Sequence, residues 1–182
     1  MNTVKHIEIK DQSVYADGNR LFSFPEEESF TAFAKALYKR KEIDYPKFYK
    51  MSNMCKLGFL AAELLLEGSG VSRMEPTRTA LVLACRAASL QADVEYQKSI
   101  SAIPSPALFV YTLANIVTGE ICIRHGIKGE EMMLVQEQFD RDGLMGYVEI
   151  LTREGNTDVC VAGFVDFDEK DKYWASLYLL RK

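Results

Sequence analysis

The sequence predicts an α/β domain, layered α/β/α, with a mixed and mostly parallel central sheet. Three observations carry that expectation. Thr79-Ala-Leu-Val-Leu-Ala84 is an unbroken apolar run between polar flanks, the pattern of a strand covered on both faces. Segments with helical spacing alternate with further short apolar runs, the order that builds a layered sheet. The last two runs, 159–165 and 175–180, are joined directly, so they are expected to pair antiparallel. A chain of 182 residues fits one domain over 1–182 and is long enough to bury a sizeable core without disulfide staples.

The elements follow in order. Residues 4–17 read as a strand pair or a bent strand. His6, Glu8 and Lys10 alternate with Ile7 and Ile9, Val14-Tyr15 follow a polar break, and Asp17-Gly18 signals a turn. A helix is expected over 28–38, where Phe30, Phe33, Ala34 and Leu37 share a face. Pro25 lies just before it, and Glu26, Glu27 and Glu28 suit the positive end of its dipole. A stronger helix covers 52–66, with a stripe of Met54, Leu57, Gly58, Ala61, Leu64 and Leu65, and Gly68-Ser69-Gly70 ends it. After the 79–84 strand come a short helix at 93–99 and a long helical stretch at 107–125, stopped by Gly126. A short apolar run at 132–135 and a helix at 142–152 precede the final two strands.

Composition excludes several classes. With 22 basic against 26 acidic side chains, the chain lacks the basic excess of a nucleic-acid binder, so no such partner is expected. No stretch approaches the length of a membrane span, and the N-terminus has no apolar signal core. Cys55, Cys85, Cys122 and Cys160 are far apart in sequence and sit among apolar residues, so a reduced, cytoplasmic protein with structural thiols is expected. His6 and His125, the only histidines, have no helix-spaced partner, and neither a metal site nor a cofactor is expected. His125 reads as a capping residue beside Gly126. Asp166, Asp168, Glu169 and Asp171 read as a solvated hairpin tip, and Tyr173-Trp174 as packing residues.

One cysteine has a second reading. Cys85 ends the buried strand and precedes Arg86, whose charge would favour a thiolate. Sites in open α/β sheets gather at the carboxyl ends of strands. No general base lies nearby in sequence, which leaves Cys85 as the lesser nucleophile candidate.

Four segments carry a resemblance. Ser105-Pro106, Asn115-Ile-Val-Thr-Gly119, Ile123-Arg-His-Gly-Ile-Lys-Gly129 and Asn156-Thr-Asp-Val-Cys-Val-Ala-Gly163 resemble the N-terminal half of a β-ketoacyl-acyl-carrier-protein synthase, a condensing enzyme of the thiolase superfamily. The resemblance runs from about residue 52 to 182 and implies a half-thiolase domain. In the family the nucleophilic cysteine stands nine residues after the second glycine of the G-x-x-G turn. That glycine matches Gly129, so the cysteine position matches Gln138, and Asp158-Val159 keeps the register beyond it. An amide offers no thiolate with which to form an acyl thioester. The two histidines of the condensing site belong to the family's second half, of which the resemblance includes only one strand, 175–180, so they are expected to be missing here.

The resemblance therefore implies a non-catalytic subunit similar to chain-length factors, which carry glutamine in place of the cysteine and pair with an active ketosynthase. Truncated accessory proteins of aryl polyene pathways are similar. The expected setting is fatty-acid, aryl polyene or polyketide chain elongation, as a homodimer or a heterodimer with a full-length ketosynthase, with acyl carrier protein as a further partner. The alternatives are an acyltransferase-like enzyme with a relocated cysteine, or an acyl- or pantetheine-binding module. In the family, dimers form through the edge strand next to the nucleophile and the segment before the N-M helix. Leu108, Phe109, Tyr111, Asn115 and Phe139 are the corresponding interface candidates. The apolar ones among them either form a partner surface or pack inside their own domain.

Overall fold

The computed structural model describes residues 1–26, 29–101 and 103–182. A single seven-stranded sheet runs in the order β3 (Asn19–Ser23), β2 (Ser13–Ala16), β1 (Asn2–Lys10), β7 (Tyr173–Arg181), β6 (Val159–Phe167), β4 (Thr79–Cys85), β5 (Glu131–Val135). β4 is buried along its whole length because parallel ladders flank it, β5 on one side and β6 on the other. β6 and β7 pair antiparallel, as their direct connection requires. The sheet is mixed, but the expectation of a mostly parallel one is corrected. Its parallel pairs are the two beside β4, and β6–β7, β7–β1, β1–β2 and β2–β3 are all antiparallel. The N-terminal meander, added to β7 from the far end of the chain, tips the balance.

Helices cover both faces of the β4–β6 region. On one side lie α1 (Phe30–Arg40), α2 (Asn53–Leu66) and α5 (Ile116–His125). α2 is buried almost all round, packed between the sheet and its two neighbours, which explains why it is apolar well beyond one stripe. Aromatic rings seal this layer: Phe30 stands 4.9 Å from Phe167, and Tyr38 stacks on Phe48 at 4.4 Å. On the other side α6 (Arg141–Arg153) lays Leu144 and Val148 over Ala80, Val82, Ala84, Cys160 and Ala162. β6 is therefore buried on both faces, whereas β1 alternates buried Ile7 and Ile9 with partly exposed His6, Glu8 and Lys10. The α/β/α layering holds over β4 and β6 and thins to two layers towards β3.

Local chemistry sets the element ends. Ser29 caps α1 by accepting from the Ala32 amide. The expected helix start at Glu28, like Glu27, lies outside the described residues. Ser52 caps α2, and Gly126, in the left-handed region, ends α5. The helical stretch expected over 107–125 is broken into α4 (Pro106–Val110) and α5. The Tyr111 and Thr112 amides close tight turns on Leu108 and Phe109, and the Thr112 hydroxyl donates to the Phe109 carbonyl, satisfying it without another helical turn. α3 (Leu90–Ile100) extends the expected short helix at both ends. Two glycines of the resemblance motifs are required by close approach. A Cβ at Gly163 would collide with the backbone of Ser176 and Leu177 on β7, and one at Gly129 with the carbonyls of Thr77 and Thr79.

Candidate functional site

The carboxyl ends of β4, β5 and β6 open onto one cleft of about 280 Å³. β4 delivers Arg86, the turn after β5 delivers Gln138 and Phe139, and β6 delivers Phe164 and Asp166. Its floor is aromatic. Phe139 lies 5.0 Å from Phe164 and 5.8 Å from Trp174, and Phe164 lies 5.2 Å from Trp174, each at a tilted or edge-on angle suited to the ring quadrupoles. The Trp174 indole donates to Glu8 at 2.9 Å, which fixes the ring from the β1 side.

One wall is ionic. The Asp166 carboxylate, buried, accepts from the Arg86 and Ala87 amides at 2.9 and 2.7 Å. The Arg86 guanidinium lies 3.5 Å from Asp166 and 3.6 Å from Asp168. Asp168 in turn accepts from the Lys170 and Lys172 amides and shapes the β6–β7 turn. The expectation of a solvated acidic tip is thereby corrected for Asp166 and Asp168, which are buried because their acceptors are taken up by backbone amides and Arg86, whereas Glu169 and Asp171 are exposed as expected. Tyr173 and Trp174 pack, as expected.

Gln138 is exposed at the cleft mouth. Its turn is held from both sides. The Gln136 amide donates to the Cys85 carbonyl at 2.8 Å, and the Gln136 side chain accepts from the Asp140 amide, while Asp140 caps α6 through the Gly143 amide. Among the described residues no cysteine or histidine lines this cleft. His6 stacks on Tyr178 and hydrogen-bonds Ser176 on the sheet face beyond β7. His125 ends α5 beside Glu63, at 3.3 Å. Cys85 is fully buried, contacts the Leu134 carbonyl at 3.6 Å, and burial pushes its thiol up to about 11. A thiol so placed is protonated at neutral pH and closed to a substrate, the opposite of what a nucleophile needs. Among the described residues no group of three His, Cys, Asp or Glu side chains is arranged to hold a metal ion, and no helix is long and apolar enough to cross a membrane.

The interface candidates separate. Phe109 is 57% exposed and Asn115 is exposed, Leu108 is half-buried, and Tyr111 is buried in its own core, which removes it as a contact residue. Phe139 belongs to the cleft floor. Asn115 and Ala114 border a shallow depression along β5 with Glu131, Met132, Met133 and Val135. β5 pairs only with β4 among the described residues and is an edge of the sheet. Ile103, Leu113 and Val135, all exposed, were not singled out from the sequence, although Ile103 lies in the proline-bounded run before α4.

No protein-family model matches the chain, and no curated protein matches it. Solved structures do. The ishigamide ketosynthase/chain length factor superposes with a TM-score of 0.72 at 12% identity, over 99% of this chain and 61% of that one. The ketosynthase ApeO in complex with its chain length factor ApeC, from Xenorhabdus doucetiae, gives 0.66 at 16% identity, over 100% of this chain and 78% of that one. The AntDE:AntF assembly, a type II polyketide synthase acyl-carrier protein in complex with its ketosynthase, gives 0.69 at 13% identity, over 99% and 62%. The chain thus has the fold of ketosynthase and chain-length-factor subunits, the fold its sequence motifs resemble. It spans about three fifths of the length of two of these neighbours.

Proposed function

We propose that this protein is a non-catalytic, ketosynthase-like accessory subunit that pairs with an active ketosynthase during acyl, aryl polyene or polyketide chain elongation. The observation that carries the reading is Gln138, which occupies the nucleophile position of the resemblance and stands exposed at the mouth of the strand-end cleft. An amide there leaves binding and shape as the cleft's contribution. The likeness to assemblies in which a ketosynthase meets a chain length factor or a carrier protein supports the partner class. The open edge of β5, running directly into the Gln138 turn and bordered by Asn115, supports pairing along that edge. An unpaired strand edge is a template for another strand. The four free cysteines suit a reducing, cytoplasmic setting.

Co-expression of a tagged chain with candidate ketosynthases tests this. A stable complex whose ketosynthase makes products of altered chain length is the expected result. Failure to bring down a ketosynthase, with product length unchanged, contradicts it. A Val135→Pro variant, which removes an edge amide without touching the cleft, is expected to weaken the complex.

A further inference from the structure

Three helices begin around one small cavity. Met54 in the first turn of α2, Gln91 and Ala92 in the first turn of α3, and Ile116 and Val117 in the first turn of α5 all line it, together with Tyr111. The helices run to 14, 11 and 10 residues, long enough for each start to carry the positive end of a developed dipole. First-turn amides have no acceptor inside their own helix and point back out of its start. Those of Met54, Gln91, Ala92 and Val117 have no acceptor elsewhere among the described residues either. α2 is capped at the Cys55 amide by the Ser52 hydroxyl. α3 and α5 have no side-chain cap, and the Ser89 hydroxyl is drawn away to the Thr112 carbonyl at 2.9 Å and to Asp93 at 3.1 Å.

Tyr111 is the second observation at this place. It is only 7% exposed, its side chain lines the cavity, and its hydroxyl has no hydrogen-bond partner among the described residues. A buried phenol without a partner costs stability unless something in reach accepts its proton. Burial above all, with Cys55, Glu120 and Tyr45 adding to it, raises its pKa, so the phenol is neutral and can donate. The carboxylate nearby, Glu120, is neutralised by Lys47 at 2.5 Å and accepts from the Tyr45 hydroxyl at 3.3 Å. The cavity measures about 10 Å³, which admits one occupant about the size of a water molecule and nothing as large as a carboxylate or a phosphate.

We propose that the cavity enclosed by the starts of α2, α3 and α5 binds a single halide ion, chloride in the cell, with the Tyr111 hydroxyl and the first-turn amides as its donors. A halide accepts hydrogen bonds and donates none, which matches a set of donors, and its negative charge meets three helix starts at once. The rest of the wall, including Ile116 and Phe167, is apolar, which suits a weakly hydrated monatomic ion. Bound there, the ion ties α3 to the two helices that pack on the sheet, α2 and α5, whereas α3 itself buries only Ala92. None of these residues lines the Gln138 cleft, and the inference stands apart from the proposed pairing with a ketosynthase.

The test follows the thermal unfolding midpoint of the full chain as sodium gluconate is replaced by sodium chloride or sodium bromide at constant ionic strength. A ligand that binds only the folded state raises the midpoint. The expected result is a saturable rise with either halide, and a half-saturating concentration at least about tenfold higher in a Tyr111→Phe variant, which loses a donor to a charged acceptor and keeps the ring. A Tyr49→Phe variant, altered at an exposed ring away from the cavity, is expected to respond as the parent does. Crystals grown in bromide are expected to show anomalous scattering within the cavity beside Tyr111. Equal midpoints in gluconate and halide, an unchanged response in Tyr111→Phe, an equal loss in Tyr49→Phe, or a water molecule in place of bromide would overturn the proposal.

Discussion

Cys85 and Gln138 stand at the carboxyl ends of neighbouring parallel strands, joined by the hydrogen bond from the Gln136 amide to the Cys85 carbonyl. Between them they divide what thioester chemistry needs in a single residue. Cys85 has the thiol without access, since its strand is covered on both faces and burial holds the proton on. Gln138 has access without a thiol. The difference is one of layer position. β4 is an interior strand with two parallel neighbours, so its last side chain is still inside the core. The turn after β5 leaves an edge strand, so its side chains emerge into the cleft. A strand end near a cleft becomes a nucleophile site only when the backbone has already turned out of the sheet.

Four experiments sharpen that contrast, from the largest expected effect to the smallest. Phe164→Ala removes a buried ring that forms the cleft floor, and denaturant unfolding is expected to register a loss of about 3 kcal/mol or more. A loss under about 1 kcal/mol would mean the floor is not packed as described. Asp166→Ala strips the Arg86 and Ala87 amides of their acceptor, with an expected loss of about 2 kcal/mol. The same variant is expected to raise the rate at which a thiol reagent modifies Cys85, because the turn closing over it is released.

Stability is expected to fall as pH rises from about 9 towards 11, the interval between the ordinary Cys85 value and its raised one. The folded thiol binds its proton more tightly than the unfolded one, so its contribution is complete below that interval and fades across it. Cys122 and Cys160, each pushed up to about 12 by burial, extend the decline to higher pH. Urea midpoints measured across the range check this, and a Cys85→Ala variant should flatten the first part of the slope. The smallest effect on stability, within about 0.5 kcal/mol, is expected for Gln138→Cys, since the side chain is exposed. Its new thiol should nevertheless react with a labelling reagent far faster than any of the four native cysteines, all of which are at least partly buried. Equal rates would erase the distinction between the two strand ends.

Much of this architecture is legible in the sequence where local pattern suffices. The unbroken 79–84 run announces β4, and the short link between the last two runs announces the β6–β7 hairpin. The position that the resemblance implies, Gln138, falls on a residue exposed at the mouth of the strand-end cleft. What pattern misses is set by pairing over long distances. β1 joins β7 from the opposite end of the chain, and no feature within 2–10 names that partner. β3 is short, mostly exposed and polar, so it carries no alternation to read. The Arg86–Asp166 wall joins residues eighty positions apart, and the acidic run 166–171 looks like solvent-facing turn until the amides that occupy Asp166 are seen. The same continuous apolar run that reveals β4 is also the signal that Cys85, at its end, is buried.

The proposed role requires that this chain carry out no acyl chemistry of its own. Incubation of the chain with a partner ketosynthase and an acyl-carrier-protein thioester, followed by intact-protein mass spectrometry, tests it directly. The predicted result is an acyl adduct on the ketosynthase and an unmodified mass for this chain. An acyl group on this chain, at Cys85 or any other residue, would contradict it.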